Sequence, residues 1–316
     1  MLPFILPSPI QEINLDVLSI KEIRLFIKRE DLIHPWLSGN KYRKLKYNLL
    51  EAESLKNDTI ITFGGVFSNH LFATAGACSL YGLKSTGIVR GEIDLENPTL
   101  KFCISKGMEL IPIPRSEYRN KNDSAVVKDI IQDYDNAYLI PEGGTNKFAI
   151  TGVTELMTEL HQQMSNHPDF IVLPSGTGGT TAGLLASENL KSHIISFSSL
   201  KTDHLQTEIL SLIGSKNASA LSVNSDYHFG GYARWNHKLL NFISDFEKKT
   251  GIHLDHVYNG KALFGLIDLI GKDYFAKGAT ICYIHTGGIQ GKDALNYMML
   301  KQNKKKALDN QELRLK

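Results

Sequence analysis

The sequence predicts an α/β protein built on parallel strands. Two observations favour this fold class: from residue 40 onward strand-like apolar segments alternate with helix-like segments, and the joints between them are short and rich in glycine. The composition agrees with it, because 42% hydrophobic and 22% charged residues are ordinary values for a globular protein. A chain of 316 residues is long enough for two domains.

The elements of the first half follow from the spacing of apolar residues. Residues 22–29 alternate, so that Ile23, Leu25 and Ile27 lie on one face of a strand. A polar loop then leads to an amphipathic helix that starts near Lys41. After it the pattern predicts strands at 59–63, 86–89, 109–113 and 137–140, and helices at 69–81, 97–106 and 124–132.

The second half continues the alternation. A helix is predicted over 151–164, a strand over 170–173 followed by a glycine-rich loop and a helix, and a final strand over 279–284. Residues 239–246 have helical spacing, and Gly251 is placed to end that helix. The apolar positions of 239–246 and helical segments near the N-terminus are expected to offer a surface to a second copy of the chain.

Charge and cysteine content exclude several classes of protein. With 35 basic and 33 acidic residues the net charge is +2, so no nucleic-acid-binding surface is expected. Cys78, Cys103 and Cys282 are far apart in apolar surroundings, which predicts buried thiols in a reducing compartment and no metal site. The segment 1–10 contains prolines and is too short for a membrane helix. We expect a cytoplasmic protein without a membrane partner.

The loop after the strand at 170–173 is the first candidate site. In open α/β sheets ligands bind beyond the carboxyl ends of strands. Glycines allow close approach to an anion, hydroxyls donate to it, and a helix N-terminus favours negative charge. The loop therefore suits a phosphate, although a tight turn without a ligand explains it equally well. Its residues are Ser175, Gly176, Thr177, Gly178, Gly179 and Thr180.

Lys41 is the second candidate. At a helix start the aligned N–H groups disfavour an ammonium and make the neutral, nucleophilic amine easier to reach. The alternative is a solvated basic helix face, because Arg43, Lys44 and Lys46 are close by.

Further polar loops follow other strands. Ser68, Asn69 and His70 stand at a predicted helix start, where they suit a carboxylate or serve as a helix cap. Thr286 lies in a His-Thr-Gly-Gly loop, in which its hydroxyl can meet a ring nitrogen or the backbone. Tyr232 and Tyr258 are each consistent with half-buried packing residues.

Together these segments resemble the pyridoxal-phosphate-dependent family of 1-aminocyclopropane-1-carboxylate deaminase and D-cysteine desulfhydrase. The matching pieces run from residue 28 to residue 291 in the order that the family has them. They are KREDL at 28–32, GNK-x-RKL at 39–45, SNH at 68–70, PEGG at 141–144, the loop from Ser175 to Gly183, VY-x-GK at 257–261 and HTGG at 285–288.

The resemblance implies the tryptophan-synthase β-like fold, in which a small domain at 47–149 is inserted into a large one made of 1–46 and 150–316. The cofactor, pyridoxal 5′-phosphate, would lie in the cleft between them. Its attachment to Lys41 is implied, with its phosphate on residues 175–180, its ring hydroxyl at Asn69 and its ring nitrogen at Thr286. Ser68, Asn69 and His70 would hold the substrate carboxylate, Ser68 and Tyr258 would be catalytic with Lys41, and Tyr232 would line the pocket. A homodimer is also implied.

The resemblance also implies a reaction. It favours a lyase that releases ammonia from a small amino acid, above all by α,β-elimination of D-cysteine. The alternatives are a 1-aminocyclopropane-1-carboxylate deaminase and, in a different class, a non-catalytic protein that binds the cofactor and an amino acid. Asn259 replaces the glutamate of the cyclopropane deaminases and weighs against their reaction. Phe67, Leu71 and Phe72 also depart from the family pattern and predict a more apolar pocket rim.

Overall fold

The chain forms two separate β-sheets in a computed structural model that describes residues 4–188 and 190–314. The predictions for the segment 1–10 and for the chain ends therefore lie partly outside the described residues. The strands are β1 Ile10–Ile13, β2 Arg24–Lys28, β3 Thr59–Gly65, β4 Lys84–Arg90, β5 Met108–Ile113, β6 Ala137–Ile140, β7 Phe170–Ser175, β8 His193–Ser198, β9 Leu221–Asn224 and β10 Thr280–Ile284.

Helices connect the strands, with short 3-10 turns at Glu30–Leu32, Glu142–Gly144 and Ala218–Ala220. The α-helices are α1 Asp16–Lys21, α2 Asn40–Ser54, α3 Asn69–Tyr81, α4 Pro98–Ser105, α5 Arg115–Arg119, α6 Ala125–Gln132, α7 Lys147–Gln163, α8 Gly179–Ala186, α9 Leu205–Ser211, α10 His237–Thr250, α11 Asn259–Gly271 and α12 Gly291–Arg314.

Both sheets are mainly parallel, as the alternation in the sequence predicts. The larger sheet has the order β1-β2-β10-β7-β8-β9, in which β1 alone is antiparallel to its neighbour. The smaller sheet, β5-β4-β3-β6, is entirely parallel. Strands of such sheets are covered by helices on both faces. The predicted α/β class is confirmed.

The core of the larger sheet overturns one expectation. Leu239, Ile243 and Phe246 on α10 are buried in the cluster that also contains Leu263 and Leu266 of α11. The apolar stripe of α10 is therefore used inside the chain, and the prediction that it faces a second copy is wrong.

A buried ionic network holds helix α2 in place. Arg43 is 1% exposed and donates to both carboxylate oxygens of Glu30 at 2.9 Å, and its Nη1 lies 2.8 Å from Glu159 on α7. The same Glu159 accepts from the buried Lys28 of β2 at 2.8 Å. Charge-assisted and bidentate bonds fix geometry strongly. The start of α2, where Lys41 lies, is thus tied to the larger sheet.

The described residues contain no helix that is both long and apolar enough to cross a bilayer. Cys78, Cys103 and Cys282 are free and buried, as predicted.

Candidate active site

A single cleft contains every residue that the sequence singles out as a candidate. It has a cavity volume of about 340 Å³ and lies where loops after strands of both sheets meet. This size is within the range of small-molecule sites. The predicted residues that line it are Lys41, Ser68, Asn69, His70, Ser175, Gly176, Thr177, Gly178, Gly179, Thr180, Tyr232, Tyr258 and Thr286.

Lys41 enters the cleft from the first turn of α2. This turn is held against the loop after β10, because Asn40 N–H donates to Thr286 O at 3.3 Å. Gly39 has φ +62°, and a β-carbon there would lie 2.0 Å from Thr286 O, so only glycine permits this approach. Burial lowers the pKa of Lys41 to about 8. The amine is therefore easily deprotonated, as a nucleophile requires.

Lys44 is a site residue that sequence reasoning missed, because its neighbours suggested a solvated basic face. It is 2% exposed and lines the cleft one turn after Lys41. Its Nζ donates only to uncharged oxygens, at 3.2 Å to Gly143 O, 3.0 Å to Thr145 Oγ1 and 3.5 Å to Thr177 Oγ1. Burial, and then the nearby Lys41, place the pKa of Lys44 well below its ordinary value. The charged form of Lys44 has no carboxylate partner, so an anion in the cleft would stabilise it.

The glycine-rich loop lets neighbouring side chains approach its backbone closely. A β-carbon on Gly179 would lie 2.7 Å from Thr145 Oγ1 and 2.9 Å from Lys44 Nζ. One on Gly176 would lie 3.1 Å from the Tyr258 ring. Gly178, with φ +73°, precedes α8, whose free N–H groups face the loop. With these close contacts and the free N–H groups at the start of α8, the loop is suited to hold an anion.

Two hydroxyls of this loop have hydrogen-bond partners within the protein. Thr180 Oγ1 accepts from Asn40 Nδ2 at 2.8 Å, which leaves its own proton to donate into the cleft. Ser175 Oγ lies 2.7 Å from both Thr181 Oγ1 and Ser196 Oγ, in a buried ring of three hydroxyls. Ser175 also lines the cleft, but its hydroxyl has partners in this ring, so we assign the phosphate first to the donors that face the cleft without such partners.

Ser68 combines the two roles that the sequence left open. It is the N-cap of α3, and its Oγ accepts from His70 N and Leu71 N at 3.2 Å. A capping hydroxyl still has its proton to donate, and that proton can reach the cleft. Asn69 Oδ1 accepts from Gln290 Nε2 at 2.9 Å, which leaves its Nδ2 as a donor.

His70 does not suit the role predicted for it. Thr62 Oγ1 donates to Ile140 O at 2.8 Å, so the 2.8 Å contact with His70 Nε2 requires the proton on that ring nitrogen. The buried Nδ1 then carries a lone pair and has no partner among the described residues. Burial, together with Lys41 and Lys44, holds the pKa of His70 well below its ordinary value. A neutral imidazole with an acceptor free does not attract a carboxylate, which corrects the expectation.

The two tyrosines form one wall of the cleft. Their ring centroids are 6.2 Å apart and the rings are nearly perpendicular. Burial, and the nearness of Tyr232 and Asp255, raise the pKa of Tyr258 well above its ordinary value. Tyr258 is therefore a hydrogen-bond donor at neutral pH.

Asn259 and the other family departures lie outside the cleft lining. Asn259 is fully buried, donates to Asp255 Oδ1 and Gly287 O at 2.8 Å, and accepts from Thr286 N at 3.0 Å. Its amide thus supports the loop that carries Thr286.

The predicted apolar rim is absent from the described part of the cleft. Leu71 is buried in the core of the smaller sheet, and the Phe72 ring stacks on Phe102 at 3.7 Å. Phe67 packs near Tyr297, with ring centroids 6.1 Å apart. None of the three lines the main cleft, although Phe72 lines a small pocket that adjoins it beside Lys41 and Asn69.

Two charged residues at the cleft were not singled out in the sequence. Arg90, at the end of β4, is exposed and has no ion pair within the described ranges. Glu142 pairs with Lys121 at 3.1 Å. With Lys41 and Lys44 these residues give the cleft an excess of positive charge, which attracts anionic ligands.

Comparisons with known proteins agree with this geometry. The family model described as pyridoxal-phosphate dependent enzyme matches residues 1–287. The bifunctional D-cysteine desulfhydrase/1-aminocyclopropane-1-carboxylate deaminase of Arabidopsis thaliana mitochondria is 34% identical over 310 residues, covering 90% of this chain and 77% of that protein. A putative 1-aminocyclopropane-1-carboxylate deaminase of Pyrococcus horikoshii is 33% identical over 298 residues, covering 90% and 88%. A crystal structure of a homologue of the deaminase superimposes with a TM-score of 0.77 at 30% identity, covering 92% of this chain and 93% of that one.

Proposed function

Since the chain belongs to the family of pyridoxal-phosphate-dependent enzymes, we propose that it is a lyase that releases ammonia from a small amino acid. The substrate we propose is D-cysteine, which with one water gives pyruvate, sulfide and ammonia by α,β-elimination. The observation that carries the proposal is the Lys41 amine, with a pKa near 8, in a cleft that also holds Ser68 and Tyr258.

The residues of the cleft fit pyridoxal phosphate. Lys44 is buried without an anionic partner among the described residues, and Gly179 lets its Nζ approach the backbone of the loop closely. A phosphate would supply the missing negative charge beside Lys44 and accept from the free N–H groups at the start of α8. Lys41, one turn earlier on the same helix, is placed to bind an aldehyde covalently.

The proposed contacts follow from the donors that remain free. Lys44, Thr177, Thr180 and the backbone N–H groups at the start of α8 would hold the phosphate. Asn69 would donate to the ring hydroxyl, and Thr286 would meet the ring nitrogen. When bound, the cofactor withdraws electrons from the α-carbon of the amino acid and so makes its proton acidic.

Lys41 is the group suited to take the α-carbon proton. Its pKa of about 8 leaves part of the amine neutral near neutral pH. Tyr258, whose pKa is raised, keeps its proton and is suited to donate a hydrogen bond to the substrate or to the departing sulfur. Ser68 donates to the substrate carboxylate together with Asn69 at the N-terminus of α3, where negative charge is favoured.

Cyclopropane ring opening, which would release 2-oxobutanoate and ammonia, is the second candidate. Ser68 and Tyr258 both line the cleft, and Tyr258 keeps its proton, so both are available to this reaction as well. Against it, Asn259 has no acidic proton and its amide points to Asp255 and Gly287 rather than into the cleft. We therefore rank it below elimination.

We also propose a domain division and an assembly. All four strands of the smaller sheet fall within 47–149, which supports that range as the inserted domain, although α2 crosses its first boundary and α7 its second. The larger domain would comprise 1–46 and 150–316. The free buried cysteines suit a cytoplasmic enzyme. A homodimer is tested by light scattering after size-exclusion chromatography, where the mass of a single chain would contradict it.

The function is tested by spectra and products together. The purified protein loaded with pyridoxal phosphate is given D-cysteine, L-cysteine or 1-aminocyclopropane-1-carboxylate, and pyruvate, 2-oxobutanoate and sulfide are measured. We expect pyruvate and sulfide from D-cysteine alone. The Lys41→Ala variant should lose the visible absorbance of the covalently bound cofactor and make no product.

Other outcomes separate the alternatives. Release of 2-oxobutanoate would replace elimination by ring opening. A cofactor spectrum that changes with an amino acid while no keto acid forms would identify a non-catalytic binding protein.

A further inference from the structure

Lys261 is a buried lysine that the proposed chemistry does not use. It is 1% exposed and lies in the first turn of α11, three residues after Tyr258. Its Nζ donates to His228 O at 2.8 Å and to Gly231 O at 2.7 Å. No carboxylate lies within ion-pair distance of it among the residues that the structure describes. Burying a charge whose only partners are carbonyl oxygens lowers the stability of the protein. We therefore ask which part of the structure these two hydrogen bonds hold in place.

The carbonyls belong to a loop with unusual backbone geometry. Phe229, Gly230, Gly231 and Ala233 all have positive φ, at 52°, 93°, 108° and 54°. Phe229 and Ala233 carry β-carbons, for which this region is strained. Such a conformation persists only where surrounding contacts over-determine it. The bonds from Lys261 are two such contacts, because they fasten the loop on either side of its glycine turn.

The loop carries Tyr232 into the cleft. Tyr232 directly follows Gly231, is 39% exposed, and faces Tyr258 with ring centroids 6.2 Å apart. Tyr258 stands immediately before α11, so the start of this helix fixes the positions of both rings. It holds Tyr258 directly through the backbone, and it holds Tyr232 through the hydrogen bond from Lys261 to Gly231 O.

We propose that Lys261 is a positioning residue that holds Tyr232 against Tyr258 and thereby shapes the amino-acid side of the cleft. The proposal rests on the proposed function in one respect, that a small amino acid binds beside these rings. It requires no contact between Lys261 and either substrate or cofactor, since the cofactor contacts proposed above lie on α2, α3, α8 and the loop after β10.

The first measurement does not depend on turnover. Hydrogen exchange of the cofactor-loaded protein is compared between the wild type and Lys261→Met. We expect faster exchange confined to the loop, where Gly231 N–H donates to His228 O and Arg234 N–H donates to Gly231 O. Lys261→Arg, which keeps charged donors, should restore part of the protection. Unchanged exchange in the methionine variant would overturn the proposal whatever the substrate is.

The second measurement separates positioning from general stability. Lys261→Met should raise KM for the amino acid about 10-fold while kcat and the Kd of pyridoxal phosphate change much less. Asn97→Ala, which removes the buried N-cap of α4 far from this loop and from the cleft lining, should lower Tm without raising KM.

A double-mutant cycle tests the route through Tyr232. Tyr232→Ala and Lys261→Met should each raise KM, and the double variant should be no worse than the worse single one. If the KM increases of the two single variants multiply in the double variant, the proposal is wrong.

Two further outcomes complete the test. If Lys261→Met does not fold, Gly231→Ala disturbs the same loop at φ +108° without touching the core, and it should give the same faster exchange and higher KM. A wild type that responds to no amino acid while the exchange result holds would refute the proposed function and leave the positioning role standing.

Discussion

Replacing Lys44 by methionine should affect the cofactor-free and cofactor-loaded proteins in opposite directions. Without cofactor the Lys44 side chain is 2% exposed and its charged form is bonded only to neutral oxygens, the shortest contact being 3.0 Å to Thr145 Oγ1. A methionine of similar shape removes a desolvated charge, so Tm of the cofactor-free protein should stay the same or rise. With cofactor, the variant loses a charged hydrogen bond to the phosphate, which is worth about 2–3 kcal/mol. The Kd of pyridoxal phosphate should then rise roughly 30- to 150-fold.

The assay is a titration of pyridoxal phosphate followed by absorbance, with Tm measured at each end of the titration. Lys46→Met is the matched control, because Lys46 lies on the same helix, is one-third exposed and pairs with Glu155 at 2.6 Å. It should leave the cofactor Kd unchanged and alter Tm only slightly. If Lys44→Met lowers Tm of the cofactor-free protein and binds the cofactor as the wild type does, the assignment of Lys44 to the phosphate is refuted.

Three other predictions test the surroundings of the site. Gly179→Ala should raise the cofactor Kd about 10-fold, because its β-carbon would lie 2.9 Å from Lys44 Nζ and displace it. An unchanged Kd in the same titration would show that the close approach of Lys44 to this loop is not needed for cofactor binding. Asn259→Glu should lower the free energy of unfolding by about 2–4 kcal/mol and give no 2-oxobutanoate, since it sets a second carboxylate beside Asp255 and removes two donors; denaturant unfolding that matches the wild type, or ring opening by the variant, would contradict this. The cofactor-free protein should become more stable from pH 8 toward pH 10. The pKa of Lys41 is about 8 in the folded protein and higher in the unfolded chain, so the unfolded chain binds more protons in this range. Lys41→Met should flatten this rise in Tm, and an equally steep rise in that variant would refute the lowered pKa of Lys41.

Local signals in the sequence predict much of the fold. Helix α3 begins and ends at the predicted residues because Ser68 caps one end and Gly82 terminates the other with φ +69°. Strand β8, His193–Ser198, was not predicted, since its serines look like a loop until Ser196 is paired inside the hydroxyl ring. Its identity depends on tertiary contacts rather than on its own residues.

The site residues show the same division between local and distant causes. The glycine loop and Lys41 are visible in sequence because their chemistry needs particular residues at particular spacings. The neutral form of His70 follows from Thr62 and its bond to Ile140 O, and the burial of Lys44 follows from Gly143, Thr145 and Thr177. These partners are far away in the chain, so no local pattern could have revealed them.

The spacing of Lys41 and Lys44 accounts for how one helix can serve both ends of a cofactor. Residues three apart lie on the same face of a helix, about 4.5 Å apart along its axis at 1.5 Å per residue. The first turn of α2 can therefore direct a reactive amine and a charge for a phosphate into one cleft. This works only if the turn cannot rotate. Gly39 fixes one end of it against Thr286 O, and Arg43, between the two lysines on the opposite side, fixes the other through Glu30 and Glu159. If α2 turned about its axis by one residue, about 100°, Arg43 would move toward the cleft and both lysines would move out of it.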